Sequence, residues 1–315
     1  MQDQNHREVD HTIEIAAPAP DVYGLIADVR QWPRIFPPTV HVEQVERSGG
    51  GERIQIWATA NGTAKTWTSR RALDPRALRI EFRQEVSAPP VASMGGAWIV
   101  EPLGDRRSLV RLLHDYRAIG DDPAGLAWID EAVDRNSRSE LAALKANVEL
   151  VTGAGDQLTT SFTDTVGIDG TGKDVYEFLY EADLWRERLP HVDRVVLTED
   201  SPGLQTLEMD TRAKDGSTHT TRSVRVCFPH QAIVYKQTTL PALLTLHTGR
   251  WQIVDDDAGV RVSSQHTVVI DPDAVTRVLG PDATTATALD FVRSALSTNS
   301  LATLTLAKQY AESRR

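Results

Sequence analysis

Asp21-Val22-Tyr23, Trp32 and Pro37 return as Asp174-Val175-Tyr176, Trp185 and Pro190, each displaced by 153 residues. Asn61-Gly62 corresponds in the same way to Asp215-Gly216, Ser69 and Arg71 to Ser223 and Arg225, and Trp98 to Trp251, at displacements of 153 or 154. So small a drift marks a duplicated domain and constrains the chain to two similar units. A length of 315 residues accommodates this, because a domain of roughly 150 residues sustains its own core. The expected domains are 1–151 and 157–315, joined by Thr152-Gly-Ala-Gly155-Asp156, a small, polar stretch expected to be a flexible linker.

A formal net charge of −10 without a long basic run disfavours phosphate-tracking surfaces, so no nucleic-acid partner is expected. The one cysteine, Cys227, allows neither an internal disulfide nor a cysteine-rich metal site and fits a reducing, cytoplasmic location. Met1 to Asp10 is polar, and the apolar stretch Leu240 to Leu246 contains a proline and is far too short to span a bilayer. No membrane partner is expected.

Each copy opens with a short alternating segment, His11 to Ile15 and Ser161 to Ile168, then a brief amphipathic helix around Val22 to Val29 and Val175 to Asp183. Alternating runs follow (Ile54, Ile56; Leu78, Ile80, Phe82; Leu207, Met209; Val224, Val226), separated by glycine- and proline-bearing turns, which predicts an antiparallel meander. Asn61-Gly62 and Asp215-Gly216 predict hairpins, since type I′ turns need positive φ at both positions. A long helix closes each copy, with Ile129, Val133, Leu141, Leu144 and Val148 on one face in the first and Leu289, Val292, Leu296, Leu301 and Leu304 in the second. The predicted class is α+β: two tandem helix-grip domains, each a curved antiparallel sheet wrapped on a long C-terminal helix with an internal pocket.

Trp67, Ser69 and Arg71 alternate onto one face of an extended segment, and His219, Thr221, Ser223 and Arg225 do so in the second copy. Serine and arginine on a strand commonly face solvent, but their recurrence at the same place in both copies favours a site. A buried arginine stays protonated and can polarise a ketone or hold an enolate, though it cannot act as a general base. His114, His191 and His266 are the candidate proton-transfer groups. Trp32, Trp98, Trp185 and Trp251 offer flat walls for a planar substrate, with ordinary core packing as the competing reading. Met94-Gly95-Gly96-Ala97-Trp98 favours an opening, because glycines in a strand leave space or admit another backbone. No histidine pair at ligand spacing, Gly-x-Gly-x-x-Gly, Walker loop or Gly-x-Ser-x-Gly is present, so neither a metal nor a nucleotide cofactor is indicated.

The segment from Tyr23 to Trp32-Pro33, the Trp-x-Ser-x-Arg of Trp67 to Arg71 and Asp134-Arg-Asn-Ser-Arg138 together resemble the didomain aromatase/cyclases of bacterial type II (aromatic) polyketide synthesis. The likeness covers nearly the whole chain, within the wider START-like, birch-allergen-like helix-grip superfamily. It implies a polyketide cyclase/dehydratase whose substrate is a ketoreduced poly-β-ketone on an acyl carrier protein. First-ring aldol closure would be followed by dehydration and aromatisation, with no cofactor. Arg71 or Arg225 would polarise a ketone, Ser69 or Ser223 would orient the oxygen or a water, and the aromatic walls, with His219 and Thr221, would hold the chain. Thr221 replaces Trp67 in the second copy, and Ser297-Thr-Asn-Ser300 replaces Asn136-Ser-Arg-Ser139, so the copies are expected to divide the labour. Arg34, Arg70, Arg106 and Arg107 are the expected carrier-protein contacts. The alternative is a non-catalytic START-like hydrophobic ligand binder or polyketide chaperone.

Overall fold

The computed structural model describes residues 6–60, 62–153, 155–212, 216, 218–257 and 259–314. The chain divides into two compact units, Met1–Gly153 and Ala154–Arg315. Unit one carries strands β1 (Arg7–Ile15), β2 (Thr39–Ser48), β3 (Gly51–Ala60), β4 (Thr63–Asp74), β5 (Arg79–Gln84), β6 (Val91–Pro102) and β7 (Ser108–Ala118). They form an antiparallel sheet in the order β1-β7-β6-β5-β4-β3-β2. Between β1 and β2 come the short helices α1 (Ala19–Ala27) and α2 (Trp32–Ile35), and α3 (Pro123–Gly153) closes the unit. Over 31 residues α3 reaches about 46 Å.

A short helix, α4 (Gly155–Leu158), leads into unit two. The predicted flexible linker is therefore helical on both sides of residue 154. The packed helix before it propagates through glycine, which costs only about 1 kcal/mol per residue relative to alanine. Unit two repeats the pattern with β8 (Thr159–Ile168), α5 (Gly172–Tyr180), α6 (Trp185–Arg188), β9 (Val192–Ser201), β10 (Leu204–Arg212), β11 (Thr218–Phe228), β12 (Ala232–Thr239), β13 (Leu244–Asp256) and β14 (Gly259–Ile270). The sheet order, β8-β14-β13-β12-β11-β10-β9, is that of unit one. The helices α7 (Val275–Leu279) and α8 (Thr285–Glu312) end the chain.

Local sequence sets these boundaries. Thr171 Oγ1 accepts the Asp174 N–H to start α5, and Thr284 with Thr287 forms a reciprocal capping box at α8. Gly62 and Gly216 adopt φ of +77° and +84°, the left-handed region the hairpin turns require; their predicted partners Asn61 and Asp215 lie outside the described residues. In unit one Ile15, Val22, Ile26, Ile80, Trp98, Leu141, Leu144 and Val148 pack between sheet and helices. In unit two Val175, Leu179, Ile233, Trp251, Val262, Leu304 and Ala307 do the same. Each such large aliphatic or aromatic side chain contributes about 2 kcal/mol on burial.

Candidate active site

In unit one the strand register lines up Glu52, Arg71, Phe82, Gly96 and His114 as successive cross-strand neighbours on β3, β4, β5, β6 and β7. The corresponding row in unit two is Gln205, Arg225, Tyr235, Gly249 and His266 on β10 to β14. The glycines are needed where they stand. A Cβ on Gly96 would run into the Leu113 carbonyl and the Phe82 ring, and one on Gly249 would run into the Tyr235 ring. The aromatic side chain of β5 or β12 thus reaches over the glycine of the next strand.

Arg71 is 3 % exposed. Its Nη2 donates to the Ala27 carbonyl at 2.9 Å and its Nη1 to that of Ile26 at 3.4 Å, while Nε lies 3.2 Å from Glu52 Oε1. The guanidinium also stacks on Trp32, 5.1 Å from the ring centroid, and the indole N–H donates to the same Ile26 carbonyl at 3.0 Å. Burial pushes Arg71 down to about 10, with Glu52 acting in the opposite direction, so it remains charged at neutral pH. Arg71 therefore closes the C-terminal end of α1, where unpaired carbonyls and the helix dipole favour a cation. Sequence reading placed this guanidinium or that of Arg225 against a substrate ketone; Nη1 and Nη2 of Arg71 are each bonded to a carbonyl of α1. Ser69 is buried too, with its hydroxyl donating to the Arg83 carbonyl at 3.1 Å.

Arg225 is 2 % exposed and stacks on Trp185 at 5.2 Å, and its Nη2 donates to Leu179 O at 2.5 Å at the end of α5. Its strand neighbour is Gln205 rather than a carboxylate, and Nη1 has no hydrogen-bond partner among the described residues. Gln205 turns its amide to Glu199 at 2.8 Å. Burial lowers the Arg225 pKa.

The histidines behave differently in the two units. In unit one His114 Nδ1 lies 3.4 Å from Ser137 Oγ on α3, with Phe82 edge-on at 5.5 Å. Burial, reinforced by His11, pushes it down to about 4. In unit two His266 Nε2 contacts Ser300 Oγ of α8 at 2.7 Å and Ser264 Oγ at 3.1 Å. Its Nδ1 meets His247 Nε2 at 2.9 Å and Tyr235 OH at 3.2 Å. Phe162 stacks on the His266 ring at 5.2 Å. Burial pushes His266 to about 4, and burial plus His266 pushes His247 to about 3, so both imidazoles are neutral at physiological pH. Neutral imidazoles and hydroxyls can relay a proton along such a chain.

The other predicted residues are placed as follows. Trp98 and Trp251 belong to the hydrophobic cores. Trp67 is half-buried and packs against Ile54, Ile56 and Ala58. Thr221 is buried and Ser223 half-buried on the same face of β11, whereas His219, near the start of that strand, is exposed and outside the enclosed row. His191, half-buried between α6 and β9, stands apart from the histidine network, its pKa lowered by burial. Sequence reading missed His247, Tyr235, Gln205 and Glu140, the last half-buried on α3 three residues after Ser137, where burial holds its carboxyl up at about 7. The first three were within reach by displacing Met94, Phe82 and Glu52 by 153.

Fold and inner row together define a protein of two tandem helix-grip domains. The family model described as "Polyketide cyclase / dehydrase and lipid transport" matches residues 6–149. The granaticin polyketide synthase bifunctional cyclase/dehydratase of Streptomyces virginiae is 52 % identical over 94 % of this chain and 97 % of that protein. The actinorhodin polyketide synthase bifunctional cyclase/dehydratase of Streptomyces coelicolor is 47 % identical over 95 % of each. The crystal structure of the di-domain ARO/CYC BexL from the BE-7585A biosynthetic pathway superposes with a TM-score of 0.92 at 65 % identity, covering 97 % of this chain and 99 % of that one. The chain belongs to the didomain aromatase/cyclase family of type II polyketide synthesis.

Proposed function

We propose that this protein closes the first ring of a ketoreduced poly-β-ketone borne on an acyl carrier protein, by intramolecular aldol condensation, and then dehydrates it to the aromatic ring. The observation that carries this is the repeated inner row, in which an arginine, an aromatic side chain over a glycine and a histidine that touches a serine of the long helix recur at matching register in both units. In unit two the Arg225 Nη1 is open to a developing oxyanion, with Ser223 two positions before it and the neutral His266 network beyond. In unit one Ser69 and Arg71 support the wall that His114 faces. Folding the flexible chain so that the reacting carbons meet supplies much of the acceleration in this reading. Neither step needs a redox cofactor.

Arg34, Arg106 and Arg107 are exposed and are the proposed carrier-protein contacts, whereas Arg70 is paired with Glu85 at 2.9 Å. No helix among the described residues is long and apolar enough to cross a membrane, and the proposed setting is the cytoplasm beside a soluble synthase. The bonds of Arg71 Nη1 and Nη2 to the α1 carbonyls favour the second reading, a polyketide binder that only guards the chain. A reconstituted minimal synthase and ketoreductase, supplied with catalytic amounts of this protein and read by mass spectrometry, separates the two. The proposed enzyme gives dehydrated aromatic product at many turnovers; a change only at stoichiometric protein would leave the binder.

A further inference from the structure

The inner-row histidines of the two units have different neighbours on the first strand of each sheet. In unit one Val9 of β1 stands opposite His114, and His11 stands two positions along, opposite Leu112. His11 and His114 are thus diagonal neighbours on one sheet face, near enough for their rings to interact. The helix α3 holds both. His11 Nε2 meets Asp134 Oδ1 at 2.9 Å, and His114 Nδ1 meets Ser137 Oγ one helical turn further on. Bonds from Arg138 and His11 hold the Asp134 carboxyl down at about 2. An ionised carboxylate only accepts, so His11 carries a proton on Nε2 and donates it there. The His11 side chain is 10 % exposed, and its Nδ1 is buried with no hydrogen-bond partner among the described residues.

Unit two replaces this pair at both ends. A displacement of 153 puts Asp164 at the place of His11. It stands on β8 opposite Ser264, two positions from Phe162, the strand partner of His266. Its Oδ2 is buried with no hydrogen-bond partner among the described residues. Counting from the serine that touches the histidine, Ser297 stands where α3 has Asp134. The side chain diagonal to the histidine is therefore neutral or positive in unit one, and neutral or negative in unit two.

Resting on the reading above, we propose that His11, anchored by Asp134, is a positioning residue that keeps His114 an uncharged proton acceptor during turnover. Burial holds both inner-row histidines down at about 4; His11 acts with burial on His114, with Asp115 against it, whereas Asp164 acts against burial on His266. The other ionisable groups on this inner face and the helices against it are Glu52 on β3, Arg71 on β4, Tyr116 on β7, Tyr23 on α1, and Asp130 and Glu140 on α3. The lowering of His114 draws on none of them.

The test gives unit one the first-strand residue of unit two. Full-length His11→Asp is titrated from pH 5 to 8 by NMR of 13C-labelled histidine, beside turnover in the reconstituted assay. A carboxylate at this place is expected to raise the His114 midpoint by about 1 pH unit or more. The ring, flat above pH 5 in wild type, then titrates within the window, and the low-pH limb of the turnover profile moves up with it. His114 that stays flat in folded His11→Asp overturns the assignment, because a merely structural His11 leaves the midpoint where it was. A midpoint that moves while the turnover profile does not overturns the role in turnover. If His11→Asp fails to fold, His11→Asn is read at pH 5: a larger protonated fraction of His114 than in wild type is expected, and an equal or smaller one overturns the assignment. Wild-type protein without turnover removes the functional reading, while the His114 midpoints still decide what His11 does to its neighbour.

Discussion

The inner rows of the two units agree in register and disagree in charge. Unit one sets buried Arg71 against Glu52 and adds the lone carboxyl of Glu140. Unit two has Gln205 in place of Glu52 and, counting from the helix serine that touches the histidine (Ser137 or Ser300), Thr303 in place of Glu140; it carries its polar groups as Tyr235, His247, Ser264 and His266, around an arginine with one free nitrogen. What stays constant is what the fold needs: an arginine closing the end of α1 or α5, a glycine under an aromatic ring, and a histidine against a helix serine. What varies is the stock of ionisable groups on the inner row and the helix opposite it. The aliphatic cores carry the stability, so these groups are free to diverge between copies.

Acidification should separate the units most strongly. His247 and His266 are held near 3 and 4 against about 6.5 in an unfolded chain. The unfolded state therefore binds protons that the folded state refuses, and unit two loses stability as pH falls from 6.5 through 4, by several kcal/mol in order of magnitude. In unit one His114, near 4, acts in the same direction. Glu140 opposes it: its folded value near 7 exceeds the unfolded one, so its destabilising ionisation is relieved as pH falls from 7 toward 4.5. Hydrogen exchange at pH 5 against pH 7.5 is expected to lose protection first in β12 to β14. Earlier or equal loss in β5 to β7 would break the comparison.

Copying unit two into unit one is the next test. Glu52→Gln leaves Arg71 buried without its carboxylate and is expected to cost about 3 kcal/mol, read as an earlier urea transition of unit one. A change below about 0.5 kcal/mol would mean that the α1 carbonyls and Trp32 hold Arg71 by themselves. The smallest effect belongs to Tyr235→Phe, which gives unit two the ring of unit one. It removes one hydroxyl contact to His266 while the His247 contact remains, for about 1 kcal/mol in thermal or urea unfolding. A loss of 3 kcal/mol or more would show the histidine network to be cooperative through the phenol.

Much of the fold was legible because periodicity and turn chemistry are local. The displacement of 153, the Ser-x-Arg strand and the two long helices could all be read directly. The use of Arg71 and Arg225 could not, because sequence gives a side chain's chemistry and not the carbonyls it will meet across more than 40 residues. Glu140 was hidden by habit: a glutamate in Ser137-Arg-Ser-Glu-Leu141 looks like an ordinary solvated helix charge until its phase is set against Val133 and Leu144. His219 misled in the opposite way, since alternation fixes a face of a strand and not how far that face stays enclosed.

The two units are parts of one polypeptide, joined where α3 ends at Gly153 and α4 begins at Gly155. A homodimer is bound by symmetry to carry the same residue in both halves, so a change useful in one half is imposed on the other. Covalent fusion lifts that restriction and fixes the ratio of the two units at one to one, whatever the concentration of the protein. Glutamate and glutamine, or glutamate and threonine, can then occupy equivalent positions in the same molecule.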